Sequence, residues 1–351
     1  MKTTQKTRLP SRSPIGIDLG DHSIKAVQLC SDGGRWDLAA SVCFARRAPG
    51  KPVDESEIAR LCGVLDRGGF VGRQAIVGAP AADLMTSMLD LPPRGPGIPF
   101  DQIARMEFAR VHKCEANSFE LSYWDLPTPA RAAKGTQAMA VAYPHAAADR
   151  YLDLLETSGL DVIAVESAAS AITRSCSPFT EIGTTAILDL GHSSALLALT
   201  QSATLIYERR MPDAGLNRLS AALRKQLDLE DEEIDYLISI SGFGQADDRR
   251  CADQLASARR LLTAHFAPLI NDLRLTFTYA EQQYPQAPVK LLLLVGGGAT
   301  IPALDRHMRE SLGVDVRAVK ASDVLECTPD LIDRATPAVM MATGLAQFVE
   351  E

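Results

Sequence analysis

Two segments of the chain repeat one plan, and that repetition constrains the fold more than any other feature. Ile15, Ile17 and Leu19 alternate with Gly16, Asp18 and Gly20, the period of a strand. Ile24, Ala26 and Leu29 begin a second strand after a tight polar turn. Asp18, at the strand's end, can direct a carboxylate at a hydrated cation. Gly20 has no Cβ, so a phosphate can approach its backbone closely. Ser23 offers a hydroxyl, Lys25 a positive charge, and successive turn amides can form an anion-binding concavity. Residues 186–199 repeat the design, with Asp189, Gly191 and Ser193 or Ser194 in the places of Asp18, Gly20 and Ser23. A third stretch, Leu291 to Ala299, is an apolar strand that breaks into Gly296, Gly297 and Gly298 just before a helix. Glycines there let a nucleotide lie against main chain and a helix N-terminus.

Composition narrows the class. A chain of 351 residues can form one large domain or two ordinary ones. A net charge of −8 argues against a general nucleic-acid binder and against a strongly electrostatic membrane anchor. The seven cysteines (30, 43, 62, 114, 176, 251 and 327) are scattered without a CxxC pair, as expected of reduced thiols. The six histidines show no metal-ligand spacing. Lys2, Lys6, Arg8 and Arg12 precede no apolar run, so the N-terminus does not read as a signal peptide. No stretch reaches the roughly 18 apolar residues of a membrane span. The expectation is a soluble, cytoplasmic protein that meets membranes only through partners.

Along the chain, residues 1–13 read as a disordered tail, with a turn at Ser31-Asp-Gly-Gly34 leading into a third strand. A helix over 54–66 and a strand over 74–78 complete a first unit. The segment 82–159 reads as an insertion: strands near 83–91, 119–126 and 136–143, a helix capped by Asp101, a loop over 127–135, and an amphipathic helix over 145–158. Phe119, Tyr123 and Trp124 read as packing within it. A second unit follows, with strands near 185–190, 194–200 and 203–210, helices over 230–240 and 252–283, and further helices over 300–312 and 336–349.

Two facing phosphate turns followed late by a glycine-rich turn resemble the superfamily of actin, the heat-shock chaperones and the sugar kinases. The resemblance narrows to the PilM branch of the actin-like proteins, related to the division protein FtsA. It is carried by Gly16-Ile-Asp-Leu-Gly20 with Lys25, by Tyr151 to Leu160 with Val165-Glu-Ser167, by Ala186 to Gly191, by Val295 to Pro302 and by Ala342 to Ala346. It implies an α/β, actin-like fold of duplicated ribonuclease-H-like halves. Subdomain 1A would comprise 14–81 and 160–180, an inserted 1C-type subdomain 82–159, and the second half (2A/2B) 181–351. It implies a cytoplasmic adaptor of type IV pilus or related secretion assembly that binds ATP with Mg²⁺ held through water by Asp18 and Asp189. The nucleotide would lie against Asp18, Gly20, Asp21, His22, Ser23, Lys25, Asp189, Gly191, His192, Ser193, Gly215, Gly296, Gly297 and Gly298. Its partner would be the cytoplasmic tail of a bitopic, PilN-like inner-membrane protein docking near the groove between 1A and 1C, with self-association a further option.

Some residues depart from the family pattern. Asp21 and His192 stand at small-residue positions, Ala214-Gly215 replaces a Gly-Gly pair, and a lysine expected between Glu232 and Ile238 is missing. Two like charges about 4 Å apart repel by roughly 4 kcal/mol at an effective dielectric of 20, so Asp21 must face away, help a cation or weaken binding. Glu166 lies where superfamily members place a water-orienting residue, and a structural role is the alternative. Turnover is expected to be slow at most. The rival readings are a nucleotide-free scaffold of the same fold, as in the MshI branch, a small-molecule kinase, and a polymerising cytoskeletal protein.

Overall fold

A computed structural model describes residues 11–32, 35–129, 135–244 and 252–349. The first sheet is built from β1 (Ser11–Arg12), β2 (Ile15–Leu19), β3 (Ser23–Asp32), β4 (Arg35–Ala45) and β5 (Gln74–Gly78), with α1 (Glu55–Arg67) between the last two. The predicted alternation is what buries Ile15, Ile17, Ile24 and Ala26 completely, each isoleucine contributing about 1.5–3 kcal/mol. Helix α1 lays Ile58, Leu61 and Leu65 on the same core, and the Asp54 carboxylate caps it by accepting from the Glu57 amide at 3.0 Å.

The chain then leaves the sheet. β6 (Met85–Leu91), α2 (Phe100–His112), β7 (Phe119–Asp125) and β8 (Thr136–Pro144) form a three-stranded antiparallel sheet in the order β6-β8-β7, with a core of its own around Leu89, Phe108 and Phe119. α3 (His145–Thr157) brings the chain back, where the buried Tyr151 hydroxyl donates to the Gly78 carbonyl at 2.9 Å. β9 (Asp161–Glu166) and α4 (Ala168–Ser175) close the first unit. The inserted sheet also leans on the second unit: the Trp124 indole donates to the Leu205 carbonyl at 2.7 Å, and Leu126 and Met139 join a cluster with Leu199 and Phe266.

The second unit contains β10 (Thr184–Leu190), β11 (Ala195–Gln201), β12 (Thr204–Met211), α5 (Leu216–Leu227), α6 (Asp231–Ser241), α7 (Ala252–Gln283), β13 (Val289–Val295), α8 (Leu304–Leu312), β14 (Asp315–Ala318), α9 (Pro329–Ile332) and α10 (Met340–Ala346). Its sheet runs β12-β11-β10-β13-β14, three antiparallel strands and then two parallel ones. The first sheet runs β4-β3-β2-β5-β9 with the same pairing senses. The duplication expected from the two Asp-x-Gly segments is therefore a duplication of topology.

α10 comes from the end of the chain yet packs on β2, β3, β5 and α4 of the first unit. The contact is backbone on backbone: a Cβ on Gly16 would fall 2.1 Å from the Ala342 carbonyl oxygen, and one on Gly344 would fall 1.8 Å from that of Ala171. Arg174 fastens the joint by donating to the Gly344 carbonyl at 2.8 Å and to both Glu166 oxygens.

Several expectations need correction. Residues 11–13 do not belong to a disordered tail: β1 pairs with Cys30 and Ser31 of β3, and the Ser13 amide donates to Leu29. Residues 1–10, Gly33 and Gly34, 130–134 of the expected loop and Cys251 lie outside the described residues. Asp101 does not cap α2; it is inside the helix and accepts from the Tyr123 hydroxyl. The helix expected from residue 300 starts at Leu304, because Pro302 is followed by Ala303 at φ 58°. The last helix spans only Met340–Ala346, after a 3₁₀ turn at Pro337–Val339.

The α10 joint gives a first test. Gly16→Ala should cost about 3 kcal/mol or more in urea denaturation, since backbone must move to admit one methyl. Gly63→Ala, inside α1, meets only the Arg67 guanidinium at 3.5 Å and should gain about 0.5–1 kcal/mol. Similar effects from the two would show that α10 is not held by that close approach.

Candidate functional site

Pairing of β2 with β3 sets Asp18 opposite Lys25, and their side chains meet at 3.0 Å, both largely buried. Lys25 is thus an ion-paired residue and not a solvated one. Burial alone would lower its pKa, but the charge and hydrogen bond of Asp18, and then the charge of Asp189, outweigh this and raise it. Asp189 ends β10 in the equivalent place. Its pKa is pushed up to about 6, by burial first and by the Asp18 charge second, with Lys25 and Arg210 opposing. The two carboxylates therefore sense each other, and Lys25, paired with Asp18, acts on both.

The turns are held from behind. In the first, the Asp21 carbonyl accepts from the Gly50 amide at 2.9 Å and the His22 carbonyl from the Arg46 amide at 2.8 Å. Arg46 is itself buried, donating to the carbonyls of Lys51 and Pro52. In the second turn, the Gly191 and His192 carbonyls accept from the amides of Leu216 and Asn217 at the start of α5. Gly215 is there because a Cβ would lie 2.4 Å from the Ser193 carbonyl carbon. Ser193 and Ser194 divide their roles: Ser194 accepts from Arg210 at 3.0 Å, while the Ser193 main chain packs on Gly215.

Of the three glycines after β13, each has a different reason. Gly296 has φ 81°, and a Cβ there would strike the Asp189 carboxylate at 2.0 Å. Gly298 packs on Leu190, whereas a Cβ on Gly297 would meet nothing within 4 Å. The Gly296 amide donates to Pro337 at 2.9 Å, tying this turn to the C-terminal segment. The glycine turn thus borders Asp189 directly, and its middle residue opens to free space.

Asp21 is exposed, and its charge opposes the lowering of the His192 pKa. His22 and His192 were expected as two separate ligands; the structure stacks them on each other, centroids 4.5 Å apart and rings inclined by 27°. Burial chiefly, and His22 next, depress the His192 pKa. Where a lysine was expected on α6, Asp235 acts on His192 instead. Ser23 and Gly20 sit in the first turn beside Lys25, whose ammonium would be 2.8 Å from a Cβ on Gly20.

Glu166 does not fit the water-orienting role. Both its oxygens are taken by Arg174, at 2.7 and 2.5 Å, which makes it a structural anion at the α10 joint. Arg210 was missed by the sequence reading; only the β11–β12 register, which sets it opposite Leu196 at the mouth of the second turn, could have found it. Among the described residues no group of three or more His, Cys, Asp or Glu is arranged to hold a metal, and no helix is long and apolar enough to cross a membrane. Mg²⁺ keeps most of its waters and takes few protein ligands, so the Asp18–Asp189 pair is chemically compatible with it.

The raised Asp189 pKa yields a signed prediction. Its folded value of about 6 lies above the ordinary 3.8, so the folded chain binds the extra proton and stability falls as pH rises through that window. Asp189→Asn should raise the stability of ligand-free protein at pH 7.5 by on the order of 1–3 kcal/mol and change little at about pH 4. A variant less stable than the parent at both pH values would contradict the assigned environment.

The family described as "Type IV pilus assembly protein PilM" matches residues 16–348. No curated protein sequence matches the chain significantly. Among solved structures, one described as a PilM–PilN type IV pilus biogenesis complex aligns with TM-score 0.75 at 17% identity, covering 95% of this chain and 98% of the other. The ethanolamine utilization protein EutJ from Carboxydothermus hydrogenoformans aligns at 0.55 and 15% identity, covering 97% and 91%. MreB5 of Spiroplasma citri bound to ADP aligns at 0.52 and 11% identity, covering 94% of each chain. These likenesses show the fold, which is actin-like as expected.

Proposed function

The chain belongs to the PilM family of type IV pilus assembly proteins, and on that premise we propose that it is an ATP-binding adaptor that docks the cytoplasmic tail of a PilN-like inner-membrane protein. The observation that carries the nucleotide part is the facing of two duplicated turns: Asp18 and Lys25 from one act on Asp189 from the other, with Gly297 open beside them. A Spiroplasma protein of the same fold is bound to ADP. The residues suit the group. The turn amides and Lys25 would meet phosphate, the glycine turn would lie along the adenosine, and Asp18 and Asp189 would hold Mg²⁺ through water. The cation supplies positive charge that offsets both the phosphates and the two carboxylates. With Glu166 committed to Arg174, the cleft offers binding in preference to rapid hydrolysis.

Calorimetry with ATP and Mg²⁺ tests this. Wild-type protein should give a saturable heat, and Gly297→Val should weaken it at least about tenfold while leaving thermal stability near the parent's, since the added side chain enters free space. No heat at millimolar ATP would favour a nucleotide-free scaffold, the reading that the His22–His192 contact between the turns otherwise supports.

The partner part rests on the family and on the solved complex of a PilM with a PilN. In this reading the inserted module takes the role of subdomain 1C, the protein is cytoplasmic, and the partner tail brings it to the inner membrane. β9 is the last strand of the first sheet among the described residues, with Ile163 half exposed, so an extended tail with apolar anchors could pair along it. A peptide of that tail should bind the full chain at roughly micromolar affinity, about −8 kcal/mol. Amide exchange should slow in β9 and the inserted module and not in α7. Protection confined to α7 would place the contact elsewhere.

A further inference from the structure

The stacked histidines stand where the two turns come together, and nothing in the duplicated design requires them. His22 follows Asp21 in the first turn, and His192 follows Gly191 in the second. With centroids 4.5 Å apart, the rings leave no room for a phosphoryl group between them. His22 Nδ1 is buried and has no hydrogen-bond partner. A buried nitrogen without a partner is a costly arrangement, and it marks a place where a hydrogen-bonding group is wanted.

The main chain on both sides is fixed. His22 is held through its carbonyl by Arg46, and His192 through its carbonyl by Asn217. Gly215 leaves the second turn no space to retreat. The rings can therefore part by side-chain rotation or by separation of the two halves, and not by local drift of the turns. The charged groups acting on His192 are Asp21, Asp235 and Lys25, and the two acids discourage an anion unless a donor compensates.

Resting on the nucleotide reading of this cleft, we propose that His22 and His192 form a latch operated by the terminal phosphate of a nucleoside triphosphate. The rings and that phosphate compete for one gap. When the phosphate enters, the stack opens and His22 Nδ1 donates to a phosphate oxygen, gaining the partner it lacks in the stacked arrangement. The exchange trades a contact between rings for a charge-assisted hydrogen bond, the stronger of the two kinds. His22 is then the residue that distinguishes a triphosphate from a monophosphate, and His192 the residue that opposes entry.

Titration of the full chain with ATP, ADP and AMP decides it. His22→Ala should weaken ATP about tenfold and leave AMP within about twofold, since only the terminal phosphate loses a donor. His22→Asn, whose amide can sit near the Nδ1 position, should restore most of the ATP affinity. His192→Ala should tighten ATP severalfold, because no stack has to open. In imidazole-¹⁵N-labelled protein the His22 Nδ1 resonance should move with ATP and stay with AMP. If AMP and ATP bind but His22→Ala binds ATP as well as or better than the parent, the rings are only a plug and the latch proposal falls alone. If the parent and every variant bind none of the three nucleotides, the nucleotide reading of the cleft falls as well.

Discussion

α10 lies directly on β2, with the Ala342 carbonyl and the Ala346 amide facing the space that Gly16 leaves free. The rest of the molecule is arranged around that close approach. β2 carries Asp18 at its end, so the helix sets the plane of the strand that presents the first turn. Just before α10, the Pro337 carbonyl accepts from Gly296, so the same short segment also fixes the glycine turn beside Asp189. The two units are thus joined by the final residues of the described chain as well as by the crossing near residue 180. The Glu166–Arg174 pair belongs to this joint, and its loss would strand a charge in a largely enclosed place.

Much of the fold was legible because its strands alternate and its turns carry glycine. The strands of the first sheet and of the second unit follow from that pattern, though not their order. What escaped the sequence were contacts between elements far apart in the chain. The small residues Met-Met-Ala-Thr-Gly-Leu-Ala of α10 announce a helix but not the surface it will meet. The structural role of Glu166 stayed one of two options because its partner, Arg174, lies eight residues on in α4, where no motif draws attention to it. The histidine stack joins two turns that local reasoning treats separately. Asp101 looked like a cap because acidic residues favour helix starts, yet the Tyr123 hydroxyl draws it into the inserted sheet.

The acids of the cleft outnumber the lysines that face them. Two acids share one lysine, one acid is pushed towards neutrality, and the carboxylate best placed by analogy to orient water is committed elsewhere. A site of that kind is responsive: its charge balance is settled only by what enters it. Slow turnover, if the proposed nucleotide binds there, would suit a family described as one of pilus assembly.

Trp124 adds a mechanical consequence. It belongs to a module inserted into the first unit, but its indole is hydrogen-bonded to β12 of the second, and Leu126 and Met139 are buried with it in that unit's core. The module is therefore a bridge between the two units and not a side arm. Any rotation of one unit against the other must either carry the bridge along or tear it from one of its seats. A partner gripping the bridge from outside would in the same way feel, and resist, that rotation.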